Sequence, residues 1–198
     1  MIKNVVFDLG GVVVGRDFDN LAKLAGDAFS FLAGHEFPPY WHDFDAGLYT
    51  REEVAQLLAN DRQCSVEEAQ DKIQHLLLLL QEVPETKEFI RQLKAEGRKL
   101  FVLSNMSPEF YAHLKQFEVF QYFDGEVISG YEHINKPDPR IYQILLDRYG
   151  LNPSETLFAD DKPVNTAAAA ALGLHTVTFG NDGLEQMRAV IDSQEANI

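Results

Sequence analysis

The stretch Val5-Val6-Phe7-Asp8-Leu9-Gly10-Gly11-Val12-Val13-Val14 decides the fold. A β-branched run with little polarity reads as the central strand of a parallel sheet, covered on both faces. The strand stops on a carboxylate and runs into two glycines. In open α/β sheets ligands bind at the carboxyl ends of the strands, which places Asp8 at a site. The glycines permit a sharp turn and let backbone amides and carbonyls approach a ligand closely. Taken alone, Asp8 reads better as a residue that merely caps a turn. The rest of the chain decides against that.

The chain has 198 residues, 45% hydrophobic and 24% charged, enough for one domain or for a core carrying a modest insertion. Its net charge of −14 repels nucleic acid and anionic membranes. It leaves room for a small phosphorylated ligand, provided that a local cation reverses the sign within one pocket. Cys64 is the single cysteine, which excludes an internal disulfide and a thiolate metal site and suggests a reducing, cytoplasmic setting. Met1 to Asn4 lead straight into a strand with no room for a signal peptide, and Leu76 to Leu80 are too few to span a bilayer.

From about Arg16 to Glu82 the pattern is helical, with no strand signal. Phe18 to Leu32 has helical spacing, Phe37-Pro38-Pro39 breaks it, Thr50 to Glu53 has the form of a capping box, and Ser65 to Glu68 repeats it. From Pro84 helices and strands alternate. Strands are expected at Leu100–Leu103, Gly125–Ser129, Thr156–Ala159 and His175–Phe179. Ser107-Pro108 and Asp138-Pro139 open helices, and Gly97, Gly150 and Gly173 close them. The expectation is an α/β fold: a doubly wound, Rossmann-like parallel sheet formed by residues 1–15 and 83–198. A helical cap, residues 16–82, is inserted after the first strand.

Asp8, Ser104, Lys136 and the pair Asp160-Asp161 all fall at or just beyond expected strand ends. Each is commonplace alone. Ser104-Asn105 reads as a turn, Lys136 as an exposed lysine before a helix, and Asp160-Asp161 as a helix cap. Together they place a nucleophile, a hydroxyl donor, a cation and a metal site along one sheet edge. A carboxylate attacks phosphorus once a metal suppresses the repulsion. Mg²⁺ takes oxygen ligands, which Asp8, the Gly10 carbonyl, Asp161 and Asp160 can supply. Ser104 and the Asn105 amide can hold a phosphate oxygen. The prolines around Lys136 pin the origin of its charge. The six histidines show no metal-ligand spacing, and His42 and Trp41 are candidate lid contacts.

Phe7-Asp8-Leu9-Gly10-Gly11-Val12, Leu103-Ser104-Asn105, Lys136-Pro137-Asp138-Pro139-Arg140-Ile141-Tyr142 and Phe158-Ala159-Asp160-Asp161, with Asn165 beyond, resemble the four ordered motifs of the haloacid dehalogenase superfamily. Asp45-Ala46-Gly47-Leu48-Tyr49-Thr50 is similar to a cap segment of the bacterial alpha-D-glucose-1-phosphate phosphatase group. The resemblance implies a Mg²⁺-dependent phosphatase working through an aspartyl-phosphate on a small phosphorylated metabolite. Asp8 attacks, Ser104 and Lys136 hold the phosphoryl group, and Asp161, helped by Asp160, holds the metal.

One position departs from that pattern. Most phosphatases of the superfamily carry a second aspartate two residues after the nucleophile, as general acid and base; here it is Gly10. Loss of such a group costs about 10²–10⁴ in rate. Good leaving groups, such as anomeric sugar phosphates, reduce the deficit, and Asp17, Asp19 or Asp45 are candidate substitutes. Two alternatives stand beside this reading. One is a 2-haloacid dehalogenase-type hydrolase, which also lacks the second aspartate. The other is a member that binds phosphate without turnover. The aromatic residues Phe37, Tyr40, Trp41, Phe44 and Tyr49 in the cap serve either sugar stacking or packing against the core.

Overall fold

A computed structural model describes residues 1–16 and 37–195. Five strands form one sheet: β1 (Asn4–Phe7), β4 (Lys99–Ser104), β5 (Gly125–Ile128), β6 (Thr156–Asp160) and β7 (His175–Thr178). Their order is β5-β4-β1-β6-β7, every pairing is parallel, and β1 is central. The expected doubly wound sheet is therefore present.

The unbroken apolar run of β1 follows from burial on both faces. Val5 and Phe7 point into one core with Leu100, Val102, Leu157 and Ala159, while Val6 points into the other with Phe101, Leu103 and Phe158. Helices α4 (Pro84–Ala95) and α9 (Gly183–Glu195) cover the first face through Phe89, Ile90, Leu93, Met187 and Ile191. Helix α7 (Pro139–Tyr149) covers the second through Ile141, Tyr142, Leu145 and Leu146, joined by Ala169 of α8 (Pro163–Ala171). Each fully buried Val, Leu, Ile or Phe contributes roughly 1.5–3 kcal/mol.

Between the first and second strands of the sheet lie α1 (Pro39–Asp45), α2 (Arg51–Arg62) and α3 (Val66–Leu78). Thr50 closes a full capping box with Glu53, and the Ser65 hydroxyl accepts from the Glu68 N–H. The expected helix at Phe18–Leu32 lies outside the described residues. The expectation of no strand between Arg16 and Glu82 is corrected. Leu80–Glu82 is a strand, β3, antiparallel to β2 (Val14–Arg16). Three-residue strands are too short to show an alternating pattern, and the leucine run before β3 satisfies helix and strand equally. No described helix is long and apolar enough to cross a membrane.

Helix α1 is anchored by Trp41 and Phe44, both buried and both edge-on to Phe110 of α5 (Pro108–Leu114). The carbonyls at its C-terminal end are taken up by core side chains. Asn135 Nδ2 donates to His42 at 2.7 Å, Ser129 Oγ to Asp45 at 2.6 Å, and His133 Nδ1 to Ala46 at 3.0 Å. Gly47 follows at φ +68°, and a Cβ there would lie 2.3 Å from the Gly130 carbonyl oxygen. Only glycine fits this contact.

Candidate active site

Parallel register assembles the site. Phe7 pairs with Val102 on one side and Ala159 on the other. The next residue of each strand is then Asp8, Leu103 or Asp160, at one level along the carboxyl edge. The Asp8 N–H donates to the Ala159 carbonyl at 2.9 Å, which continues the pairing past the last residue of β1. Asp8, Ser104, Lys136 and Asp160 are all buried.

Lys136 arrives from the loop between α6 (Ser129–Glu132) and α7. Its ammonium donates to the Leu103 carbonyl at 2.8 Å and to Asp160 Oδ2 at 2.6 Å, and stands 2.9 Å from Asp8 Oδ1. An ammonium has three N–H donors, and these partners occupy them all. Burial alone lowers the lysine pKa, but the Asp8 and Asp160 carboxylates outweigh it and hold Lys136 above its ordinary value.

Asp160 is the hub beneath. Its Oδ1 accepts from the Lys162 N–H at 2.8 Å and from Asn165 Nδ2 at 2.9 Å. Its Oδ2 accepts from Lys136 and, at 3.0 Å, from Asn165 Nδ2. Four accepted bonds use the lone-pair directions of a carboxylate. Asp160 therefore anchors Lys136 and Asn165 to the sheet. Tyr142, buried in α7, donates to the Asn165 carbonyl at 3.0 Å and fixes that residue from behind.

Burial pushes the Asp8 carboxyl from 3.8 up to about 6; Asp160 and Asp161 push the same way, and Lys136 pulls against them. Asp8, Asp160 and Asp161 offer oxygens within 4.8 Å of one another. Asp8 and Asp160 both pair with Lys136, and Asp161 adds a third carboxylate beside them. A divalent cation offsets the mutual repulsion of such a cluster. Donors of carboxylate type, with no His or Cys among them, suit a hard ion such as Mg²⁺. Gly11, at φ +76°, completes the cradle: a Cβ there would lie 2.9 Å from Asp161 Oδ2. The residues present fit the metal.

Above this edge is a cavity of about 170 Å³. Asp8, Gly10, Ser104, Asn105, Lys136, Asp161 and Lys162 line it from the core side, and Phe37, Trp41, His42, Asp45, Leu76 and Leu80 from the other. Asn105 departs from a simple ligand role. Its side-chain amide bonds the main chain of Lys136 through both its oxygen and its nitrogen. Nothing in the local sequence signals that clamp, nor the Asn165–Asp160 pair. The aromatic residues of this segment divide: Phe44 packs on the core, Tyr40 donates to Asp61 at 3.0 Å, and Phe37 and Trp41 stack on each other and border the cavity. Asp17 and Asp19 lie outside the described residues.

Known proteins agree with this geometry. The model of the haloacid dehalogenase-like hydrolase family matches residues 2–173. Mouse acyl-CoA dehydrogenase family member 10 is 34% identical over 193 residues, 87% of this chain; the match spans only 17% of that protein. A (S)-2-haloacid dehalogenase 4A of Burkholderia cepacia is 32% identical over 57% of this chain and 49% of its own length. D-ribitol-5-phosphate phosphatase of Bacteroides thetaiotaomicron is 28% identical over 98% of this chain and 100% of its own. A HAD family enzyme from Bacteroides thetaiotaomicron, solved as a magnesium complex, superposes with a TM-score of 0.75 at 25% identity, covering 94% of this chain and 98% of that one. A HAD-like family hydrolase from Porphyromonas gingivalis gives 0.74 at 27% identity, covering 96% and 98%. Sheet order, the three motifs at strand ends, the lysine motif in the loop before α7 and these matches lead to one conclusion: the chain belongs to the haloacid dehalogenase-like hydrolase family.

Proposed function

We propose that this chain is a Mg²⁺-dependent phosphatase of a small phosphorylated metabolite, with residues 16–82 as its cap. The observation that carries the reading is the cluster at the cavity floor, where oxygens of Asp8, Asp160 and Asp161 lie within 4.8 Å of one another beside the Lys136 ammonium. A dehalogenase attacks carbon and needs no Mg²⁺.

Asp8 is the nucleophile: its free oxygen attacks phosphorus and the bond to the leaving oxygen breaks. Ser104 and the Asn105 N–H hold the non-bridging oxygens by hydrogen bonds and the Lys136 ammonium by its charge, so positioning and charge do most of the work. Asp8, the Gly10 carbonyl and Asp161 would hold the Mg²⁺, and Asp160 keeps Lys136 in place behind them. Bound there, the metal supplies the charge that lets one anion approach another. Water then attacks the phosphorus of the aspartyl-phosphate, which frees Asp8.

The cavity suits a phosphoryl group and a few carbons, with Phe37 and Trp41 on its far wall. Sugar phosphates, anomeric ones first, are the class to try; the phosphatase relative named above acts on a pentitol phosphate. Phosphate release from sugar phosphates and p-nitrophenyl phosphate, in Mg²⁺ and in EDTA, tests the reading. Mg²⁺-dependent release supports it. Silence on every phosphate, with halide release from 2-haloacids, replaces it with the dehalogenase reading.

A further inference from the structure

Gly10 leaves the site without the proton donor that its reaction needs. A Cβ built on Gly10 meets nothing within 4 Å, so among the described residues the space beside the nucleophile on that side is open. An alkyl leaving group that departs unprotonated makes a poor substrate. Resting on the phosphatase reading, we infer that His42 of the cap protonates the leaving oxygen.

Titratable side chains bordering the cavity, among the described residues, are Asp8, Lys136, Asp161, His42, Asp45 and Lys162. The first three are committed to attack, charge and metal. Of the rest, imidazole is the side chain type that both gives and takes a proton near neutrality.

The structure also presents His42 correctly. Trp41 and Phe44 bury one stripe of α1 against Phe110, which fixes the rotation of the helix. His42 and Asp45, three residues apart, share another face, and both border the cavity. The His42 carbonyl accepts from Asn135, the residue before Lys136, so the backbone that carries the imidazole is tied to the loop that carries the lysine. His42 is exposed at the rim, where it can exchange protons with solvent.

The chemistry balances without another reactant. Asp8 bonds to phosphorus, the bond to the leaving oxygen breaks with its electron pair on oxygen, and the imidazolium proton moves to that oxygen to give the alcohol. Water then attacks phosphorus and the bond from phosphorus to Asp8 breaks, leaving inorganic phosphate and the Asp8 carboxylate. The proton released by that water goes to solvent, from which the exposed His42 regains its own.

The test is a leaving-group series in Mg²⁺, from p-nitrophenyl phosphate to alkyl phosphates, on the wild-type chain and on His42→Gln. The glutamine variant should melt as the wild type does. It should stay within about threefold on p-nitrophenyl phosphate, which needs little protonation, and fall about 10²–10⁴-fold on alkyl phosphates. Gly10→Asp added to His42→Gln should recover part of that loss, since its side chain enters open space. An equal fall across the series, or no fall, overturns the role of His42 and leaves the phosphatase intact. Silence of the wild-type chain on every phosphate overturns the phosphatase reading and this inference with it.

Discussion

Asn105 clamps the main chain of Lys136 in both directions: its Oδ1 accepts the Lys136 N–H at 2.7 Å, and its Nδ2 donates to the Lys136 carbonyl at 2.9 Å. The clamp joins the end of β4 to the lysine loop, so the hydroxyl donor and the cation move as one unit. A buried hydrogen bond lost from one side costs about 1–3 kcal/mol.

Asn105→Ala should therefore lower kcat by about 10–10² while the fold survives, since the ammonium keeps its three partners but loses its fixed origin. Asn105→Asp keeps the acceptor and loses the donor, and should fall between the two. Steady-state kinetics with a melting curve for each variant checks this. An unchanged kcat in Asn105→Ala would remove the clamp from the mechanism.

The pKa of Asp8 makes the metal-free protein pay for its nucleophile. The carboxyl is about 6 when folded against an ordinary 3.8, so between those values the folded chain binds the proton that the unfolded chain has released. This contribution to stability is complete below about pH 4, is lost as pH rises to about 6, and then levels off. The loss is on the order of 3 kcal/mol. Asp8→Asn cannot ionise, so in EDTA it should exceed the wild type in stability at pH 8 and lose the advantage near pH 4. Urea melts at the two pH values measure the difference, and a gap of the same size at both would refute the linkage.

Mg²⁺ should reverse that strain. At a concentration a hundred times its Kd the ion should stabilise the fold by about 2.7 kcal/mol. Asp161→Asn, which removes a ligand but leaves the Lys136–Asp160 pair, should abolish the gain. Thermal melts with and without Mg²⁺ read this directly, and an equal gain in Asp161→Asn would place the ion elsewhere.

Gly47→Ala should loosen the cap. Its φ of +68° and the 2.3 Å approach of a Cβ to the Gly130 carbonyl force the chain from its docking position. The strain is about 1–3 kcal/mol. KM should rise as α1 leaves the cavity wall, and limited proteolysis within residues 37–82 should quicken. Proteolysis at the wild-type rate with an unchanged KM would show that the cap does not depend on this contact.

Much of this molecule is visible in its sequence, because the features that build it are local. Apolar runs ending on Asp8, Ser104 and Asp160 mark the strand ends, and Thr50, Ser107 and Asp138 cap the helices that follow them. The parts that are not visible join distant residues. Asn105 meets Lys136 across 31 positions, and Asn135 meets His42 across 93. Both contacts depend on how the loops come together above the sheet. The ribbon of Val14–Arg16 and Leu80–Glu82 escapes notice for a different reason: each strand gains its identity from its partner and carries too few residues to show a period.

The most direct test of the account is to quench the Mg²⁺ reaction on the best substrate within the first turnovers and map the phosphoryl group. The account predicts a hydroxylamine-labile phosphoryl on the peptide that contains Asp8, with no turnover in Asp8→Asn. A phosphoryl group on any other residue, or turnover undiminished in Asp8→Asn, would contradict it.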